Sequence, residues 1–200
     1  MQAKKNRIRL GGGSACPGER IEPAVELIEK GNIDYIGFDS LSEIEFISFE
    51  KHKMSHPTEG YDVFAERRLR AILPTCARNQ VKIVGNMGGA NPKGAQDLAM
   101  AIAREFELKG MKIAAVLGDN VLQIVKEMNP EVEGTGERVD KLGDKLISAH
   151  AYIPVDSVVE ALRRGADLII TGRLPDASLF LAPLIYEFDW RNDEWDLLAR

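Results

Sequence analysis

Short apolar runs alternate with amphipathic segments along the chain, and this alternation is its main structural signal. The runs read Arg7-Ile8-Arg9-Leu10 into Gly11-Gly12-Gly13, Ile36-Gly37-Phe38 into Asp39-Ser40, Val81–Val84 into Gly85–Gly89, Lys112–Val116 into Gly118-Asp119, and Leu168-Ile169-Ile170 into Thr171-Gly172-Arg173. A sixth run, Leu146–Ala149, ends at His150. Each has the length and composition of a buried strand. Between them lie segments of helical period. Ala24, Val25, Leu27 and Ile28 mark a short helix entered through Glu22-Pro23 and stopped by Gly31-Asn32. The strongest helical pattern covers 92–109, where Ala95, Leu98, Ala99, Ile102, Ala103 and Phe106 share one face, Asn91 stands as N-cap, Pro92 at N1 and Gly110 beyond the end. Further helices are predicted at 62–78, which Pro74 should kink or shorten, at about 119–128, at 156–164 with Asp156 as cap and Gly165 as stop, and at about 176–187. Residues 129–144, rich in Gly, Glu and Pro, read as one long exposed loop, a candidate lid.

Alternating strands and helices predict an α/β fold with a mostly parallel, doubly wound (Rossmann-like) sheet of about six strands, because parallel neighbours need a crossover and the crossover is usually a helix. A barrel-like arrangement is the runner-up. A closed eight-stranded barrel typically takes about 250 residues, so 200 residues favour the open sheet and a single domain over 1–200. The carboxyl ends of parallel strands point to one edge, so the polar loops should converge on one crevice.

Composition narrows the partners. At 44% hydrophobic and 28% charged residues the chain is too apolar for disorder. A net charge of −5 argues against nucleic acid or an anionic membrane surface, both of which reward a basic face. Cys16 and Cys76 stand far apart without a Cys-x-x-Cys pattern, so neither a zinc site nor a disulfide framework is indicated and a reducing cytoplasm fits. The basic start, Met1 to Arg7, leads into too few apolar residues for a signal segment or a membrane span.

The loops carry the candidate chemistry. Gly11-x-Gly13 invites a dinucleotide reading, and Asp39 stands where an acid would hold a ribose hydroxyl. Cys16 occupies the third glycine position, however, Gly18 comes two residues late and Pro17 sits in the turn, so a simple tight turn is the better reading. Gly89 to Gly94 is followed by Ala95 rather than Lys-Ser/Thr, which excludes a phosphate loop of the Walker type. Asn86 to Pro92 places flexible backbone at a helix start, a favourable seat for a carboxylate or phosphate, although capping and turning alone account for it equally well. Arg173 at a strand end suits bidentate capture of an anionic substrate, against a surface pair with Asp176. Asp119, Asp176 and His150 are the candidate acid–base groups; the alternatives are N-capping for the acids and a hydrogen-bonded core or rim position for the histidine. The candidate binding residues are Gly12, Gly13, Ser14, Asp39, Asn86, Gly88, Gly89, Asn91, Gly118, Thr171, Gly172, Arg173 and Ser178. His52 and His56 have the spacing of a helical metal pair but lack its acid, and Pro57 makes them a solvated helix end. No metal ligand set and no cofactor is assigned.

Several blocks resemble the acyclic terpene utilisation (AtuA) family: Gly11 to Leu27, Asn86 to Pro92, Lys112 to Asp119 and Ile170 to Pro183, in that order along nearly the whole chain. The resemblance implies a cytoplasmic bacterial protein in a catabolic setting, associated in some members with breakdown of citronellol-type terpenes through acyl-CoA intermediates. It supplies no catalytic residue. Family members typically run well past the charged, Trp-containing segment 189–200, so the sequence resembles the amino-terminal part of such proteins. Residues and resemblance together point to an enzyme acting on a small carboxylate or acyl-CoA-linked substrate at the strand ends. The alternative is a non-catalytic binding or regulatory subunit, for which an apolar patch near Trp190 and Trp195 would speak. The expected partners are a small anionic molecule and either a second copy of the chain or a further subunit.

Overall fold

The computed structural model describes residues 6–199; the basic start at 1–5 and Arg200 lie outside the described residues. Strands β1 (Leu10–Ser14), β2 (Tyr35–Phe38), β3 (Lys82–Gly85), β4 (Ile113–Val116) and β5 (Leu168–Thr171) pair in parallel in the order β1-β2-β3-β5-β4. The sheet is open, with β1 and β4 at its edges, which sets aside the barrel-like arrangement. Helices cover both faces. Ile36, Phe38, Ile83, Leu168 and Ile170 pack against α1 (Glu22–Lys30), α3 (Ala65–Asn79) and α4 (Pro92–Glu105), while Tyr35, Val84 and Ile169 pack against α6 (Val155–Arg163) and α7 (Ser178–Phe188). Burial on both faces explains why β2, β3 and β5 read as continuous apolar runs instead of alternating ones.

Strand order explains the sides. Steps from β1 to β2, β3 and β4 advance in one direction and lay α1, α3 and α4 on one face; the return from β4 to β5 lays α6 on the other. Right-handed crossovers demand this reversal.

Several local expectations change once the chain is folded. The sixth run is not a strand. Its end crosses the residues after β4 as a single antiparallel bridge between Asn120 and His150, with Val121 N–H on Ala149 O (2.9 Å) and Ala151 N–H on Asp119 O (2.7 Å). The glycines at 11–13 lie in β1 itself and not in a turn. A Cβ at Gly11 would meet Leu27 at 2.7 Å and one at Gly13 would meet the Phe38 ring at 2.4 Å, so these glycines let side chains of α1 and β2 close on the strand. The glycines therefore do not form the tight turn read from the sequence. Helix α3 runs through Pro74 to Asn79 because Leu69, Ile72, Leu73 and Cys76 are all buried, and that burial outweighs one missing backbone hydrogen bond. Asn91 caps α4 as expected, its Oδ1 accepting Gly94 N–H at 3.0 Å. Asp156 does not cap α6; the helix starts one residue earlier, after Pro154. Helix α5 (Leu122–Met128) begins beyond Asp119. The candidate lid at 129–144 folds back on α5, Asp140 N–H donating to Asn129 Oδ1 at 2.9 Å, and continues as short 3-10 turns over Val139–Lys145, broken at Gly143.

Helix α2 (Glu43–Ser55) was not predicted. Its apolar residues follow no clean helical stripe, and only Phe46, Phe49 and Glu50 are buried. The signal for its start is local: Ser42-x-x-Glu45 has the spacing of a capping box, and Ser42 Oγ caps the helix by accepting Ile44 N–H at 3.3 Å while donating to the Glu45 carboxylate. Among the described residues no helix is long and apolar enough to cross a membrane.

An ion pair holds the loop after β1. Arg68 on α3 pairs with Asp62, and both side chains are almost completely buried. Arg68 also donates to Pro17 O at 2.8 Å and lies over the Phe38 ring, 5.5 Å from its centroid, while Asp62 accepts Phe64 N–H at 2.9 Å. Burial raises the Asp62 carboxyl above its ordinary value, against the pull of Arg68. Arg68→Met strands a buried carboxylate and is expected to cost about 3–5 kcal/mol, read as a lowered urea midpoint. Adding Asp62→Asn should recover most of that loss; if it does not, the pair contributes through packing rather than charge.

Candidate functional site

Strands β3 and β5 are neighbours, yet the chain leaves them toward opposite faces, into α4 and α7. The carboxyl edge of the sheet is the expected crevice of such a fold. Polar groups fasten the strand ends there. Asn86, fully buried after β3, accepts Ser40 N–H at 2.6 Å and donates to Asp39 Oδ1 at 2.7 Å. Asp39 is tied in turn to the end of β1, its N–H on Ser14 O and its carbonyl accepting Ser14 Oγ, at 3.1 and 3.0 Å. Gly88 N–H reaches Thr171 O at 3.0 Å, an approach that only a glycine permits, since its Cβ would stand 2.5 Å from that oxygen.

A cavity of about 320 Å³ opens between these strand ends and the start of α2, with Cys16, Asp39, Glu43, Glu45, Tyr152, Arg173 and Asp176 in its walls. Its charge is lopsided: among the described residues Arg173 is the one cation lining it, against four carboxylates. Asp176 is exposed overall, and partial desolvation in the cavity wall raises its carboxyl above the ordinary value; the charges of Asp39 and Glu43 push the same way and Arg173 opposes. Arg173 is itself buried. Its Nη1 donates to Leu41 O at 3.0 Å, its Nη2 to Glu43 Oε1 at 2.5 Å and to the Tyr152 hydroxyl, and the guanidinium lies 4.4 Å from the Tyr152 ring centroid. Its ion-pair partner is thus Glu43 rather than Asp176, and Asp176 does not cap α7.

Behind the cavity lies a buried carboxylate–imidazole–carboxylate chain. His150 Nδ1 stands 3.0 Å from Asp119 Oδ2, its Nε2 stands 2.7 Å from Glu50 Oε1, and the ring packs on Phe46 with centroids 4.1 Å apart. Asp119 Oδ2 also accepts Arg173 N–H at 3.0 Å, which joins the chain to the cavity wall. Burial alone would pull the imidazole down, but its hydrogen bonds to Asp119 and Glu50 and their charges more than offset that, so its pKa lies above the ordinary value. Gly172 is required beside this group. A Cβ there would stand 2.3 Å from Asp119 Oδ2.

The structure therefore gathers Asp39, Arg173 and Asp176 in the cavity and sets Ser14, Asn86, Gly88, Thr171, Gly172, Asp119 and His150 behind it as support. Thr171 and Ser178 are buried, Thr171 Oγ1 donating to Gly172 O at 3.0 Å. Gly89 meets Phe49 near the α4 cap at Asn91, and Gly12, Gly13 and Gly118 do not line the cavity; Gly13 is closed off by Phe38, and the other two face open space. Sequence reasoning missed Glu43, Glu45, Tyr152 and Glu50. The Ser42-x-x-Glu45 capping box marked the first two, whereas nothing local marks Glu50, one hundred positions from its partner. His52 is half-exposed, paired with Glu59 at 2.6 Å and stacked on His56. Among the described residues no group of three or more His, Cys, Asp or Glu is placed to hold a metal ion. A larger cavity, about 600 Å³, lies at the opposite, amino edge beside Tyr35, Lys82, Asp167 and Glu187, away from these groups.

A family model described as acyclic terpene utilisation family protein AtuA matches residues 8–200. No curated protein and no solved structure matches the chain.

Two outcomes test this geometry. Gly172→Ala should lower stability by about 1–3 kcal/mol in thermal unfolding, since the new methyl must displace a buried carboxylate. The His150 linkage has a definite sign. With its folded pKa raised from 6.5, the stability it contributes is complete below that unfolded value and is lost as pH rises through the folded one. The unfolding free-energy difference between wild type and His150→Gln should therefore shrink as pH is raised above about 6.5; a difference that grows would reverse the assigned shift.

Proposed function

The chain belongs to the acyclic terpene utilisation (AtuA) family, and from that premise we propose that it is a catabolic enzyme acting on a small acyl substrate in the cavity at the carboxyl ends of the strands. The carrying observation is the cavity itself, where among the described residues Asp39 and Asp176 face one cation, Arg173, whose guanidinium is fixed by Leu41 O and Glu43. Two carboxyl groups whose environments differ serve as an acid and a base. In this reading Asp176 and Asp39, the latter oriented by the Asn86 amide, are the pair that exchanges protons with the substrate. Arg173 and the Tyr152 hydroxyl polarise an oxygen of the substrate, with Arg173 kept rigid by Leu41 O and Glu43. His150 and Asp119, singled out from the sequence for acid–base work, act here by holding the Arg173 backbone.

Charge narrows the substrate class. Four carboxylates against one guanidinium repel a free carboxylate, whereas an acyl thioester brings an uncharged carbonyl. At about 320 Å³ the cavity stands at the small end of ligand pockets, so it takes the acyl portion while a nucleotide-bearing carrier stays outside. Two cysteines without a disulfide, Cys16 exposed and Cys76 buried, fit the reducing cytoplasm where such thioesters are handled. A binding or regulatory subunit is the second reading, favoured by the exposed Trp195 and Ile44.

The test is thermal unfolding with a branched short-chain acyl thioester of N-acetylcysteamine and with the matching free acid, followed by mass spectrometry of the thioester. At 100 times its dissociation constant the thioester should add about 2.7 kcal/mol, with a smaller gain from the acid. Wild type should convert it, and Asp176→Asn should convert it at least about 100-fold more slowly with binding kept. Preference for the free acid overturns the substrate class; binding without conversion by wild type leaves the subunit reading.

A further inference from the structure

Helix α2 forms one wall of the cavity through Glu43 and Glu45, yet it is weakly built into the fold. Phe46 and Phe49 pack with Leu41 and Ala90 in a small cluster separate from the two cores on the sheet faces. On its outer side Ile44, Ile47 and Met54 are exposed. Polar links do the rest. Lys53 Nζ donates to Ala90 O at 2.6 Å, Arg173 holds Leu41 O and Glu43, and Glu50 reaches His150 at 2.7 Å. The last is the deepest, since the side chains of Glu50, His150 and Asp119 are all nearly sealed from solvent.

We propose that His150 is a positioning residue whose protonated ring latches α2 over the carboxyl-edge cavity, so that loss of its proton loosens this helix and opens the cavity wall. The groups facing the ring are Glu50 from α2, Asp119 from the end of β4 and the Phe46 ring; beyond them stand Arg173, Glu43 and Tyr152. A protonated imidazole donates to both carboxylates at once. A neutral ring has a single N–H, so the second nitrogen turns a lone pair toward a carboxylate and two buried anions are left without a cation between them. Breaking a buried ion pair in this way is strongly unfavourable. Asp119 is tied to the Arg173 backbone beyond β5, so relief comes most readily from α2, whose buried aromatic residues belong only to the small cluster outside the two cores. The hydrogen bonds to Asp119 and Glu50 raise the His150 pKa and so extend upward the pH range over which the latch stays closed.

The consequence for substrate entry rests on the reading of the cavity given above, but the latch is tested without any ligand. Hydrogen exchange is followed along the whole chain for wild type, His150→Gln and Glu50→Gln, corrected for the intrinsic effect of pH. In both variants the amides of 43–55 should exchange about tenfold faster or more, with those of α3 and α4 unchanged, the signature of a local opening. In wild type the corrected exchange of 43–55 should accelerate as pH rises through the folded pKa of His150, and His150→Gln should abolish that dependence. Exchange of 43–55 no faster than wild type, a uniform acceleration of all elements, or a pH dependence that survives in His150→Gln would each overturn the latch. Failure here leaves the thioester assay untouched, and the absence of thioester binding leaves the latch standing.

Discussion

A parallel sheet whose strand order turns back on itself sends its returning crossover to the opposite face, and in this chain everything else follows from where that turn occurs. The advance from β1 to β4 stacks α1, α3 and α4 on one side, and the return to β5 places α6 and then α7 on the other. Neighbouring strands β3 and β5 are thereby left with loops that part from each other at their carboxyl ends. Gly88, just beyond β3, and Thr171, the last residue of β5, are brought into contact by topology rather than by any local preference.

Charge inside the protein is the second organising element. Asp62 with Arg68, Glu43 with Arg173, and Glu50 with His150 and Asp119 each join segments remote in sequence, and most of these side chains are shielded from water. Such groups are tolerable only when partnered. Each of the three therefore specifies which segments meet: Arg68 draws in the loop at Pro17, Arg173 draws in Leu41 and the start of α2, and His150 draws α2 onto the end of β4. The cavity lies between the segments held in this way, so its walls are set by ionic contacts more than by apolar packing.

That division bears on function. The sheet supplies a rigid floor at Asp39 and Asn86, with short hydrogen bonds to neighbouring strands, while the roof at α2 hangs on a few polar links. Under the proposed reading, the acid–base pair sits on the rigid floor and the lighter roof covers it.

The pattern along the chain determined the α/β class, the five strands that form and the helices α1, α3, α4, α6 and α7, because buried parallel strands and one-faced helices leave periodicities visible without any partner. It also determined the edge at which polar loops collect, since parallel strands all end on the same side. It misjudged what depends on distant residues. The glycines at 11–13 read as a turn, yet they serve close packing by Leu27 and Phe38; Pro74 read as a break, yet burial carries α3 past it; and Leu146–Ala149 read as a sixth strand, yet it crosses the chain beyond β4. Helix α2 left almost no periodic trace because its hold on the protein is ionic. Only the tertiary structure decided that Asp119 and His150 are buried behind the cavity while Asp176 lines it, and that Glu50 completes the chain from one hundred positions away. Hydrophobic period is a local property of a sequence, whereas the pairing of buried charges exists only once the fold has brought them together.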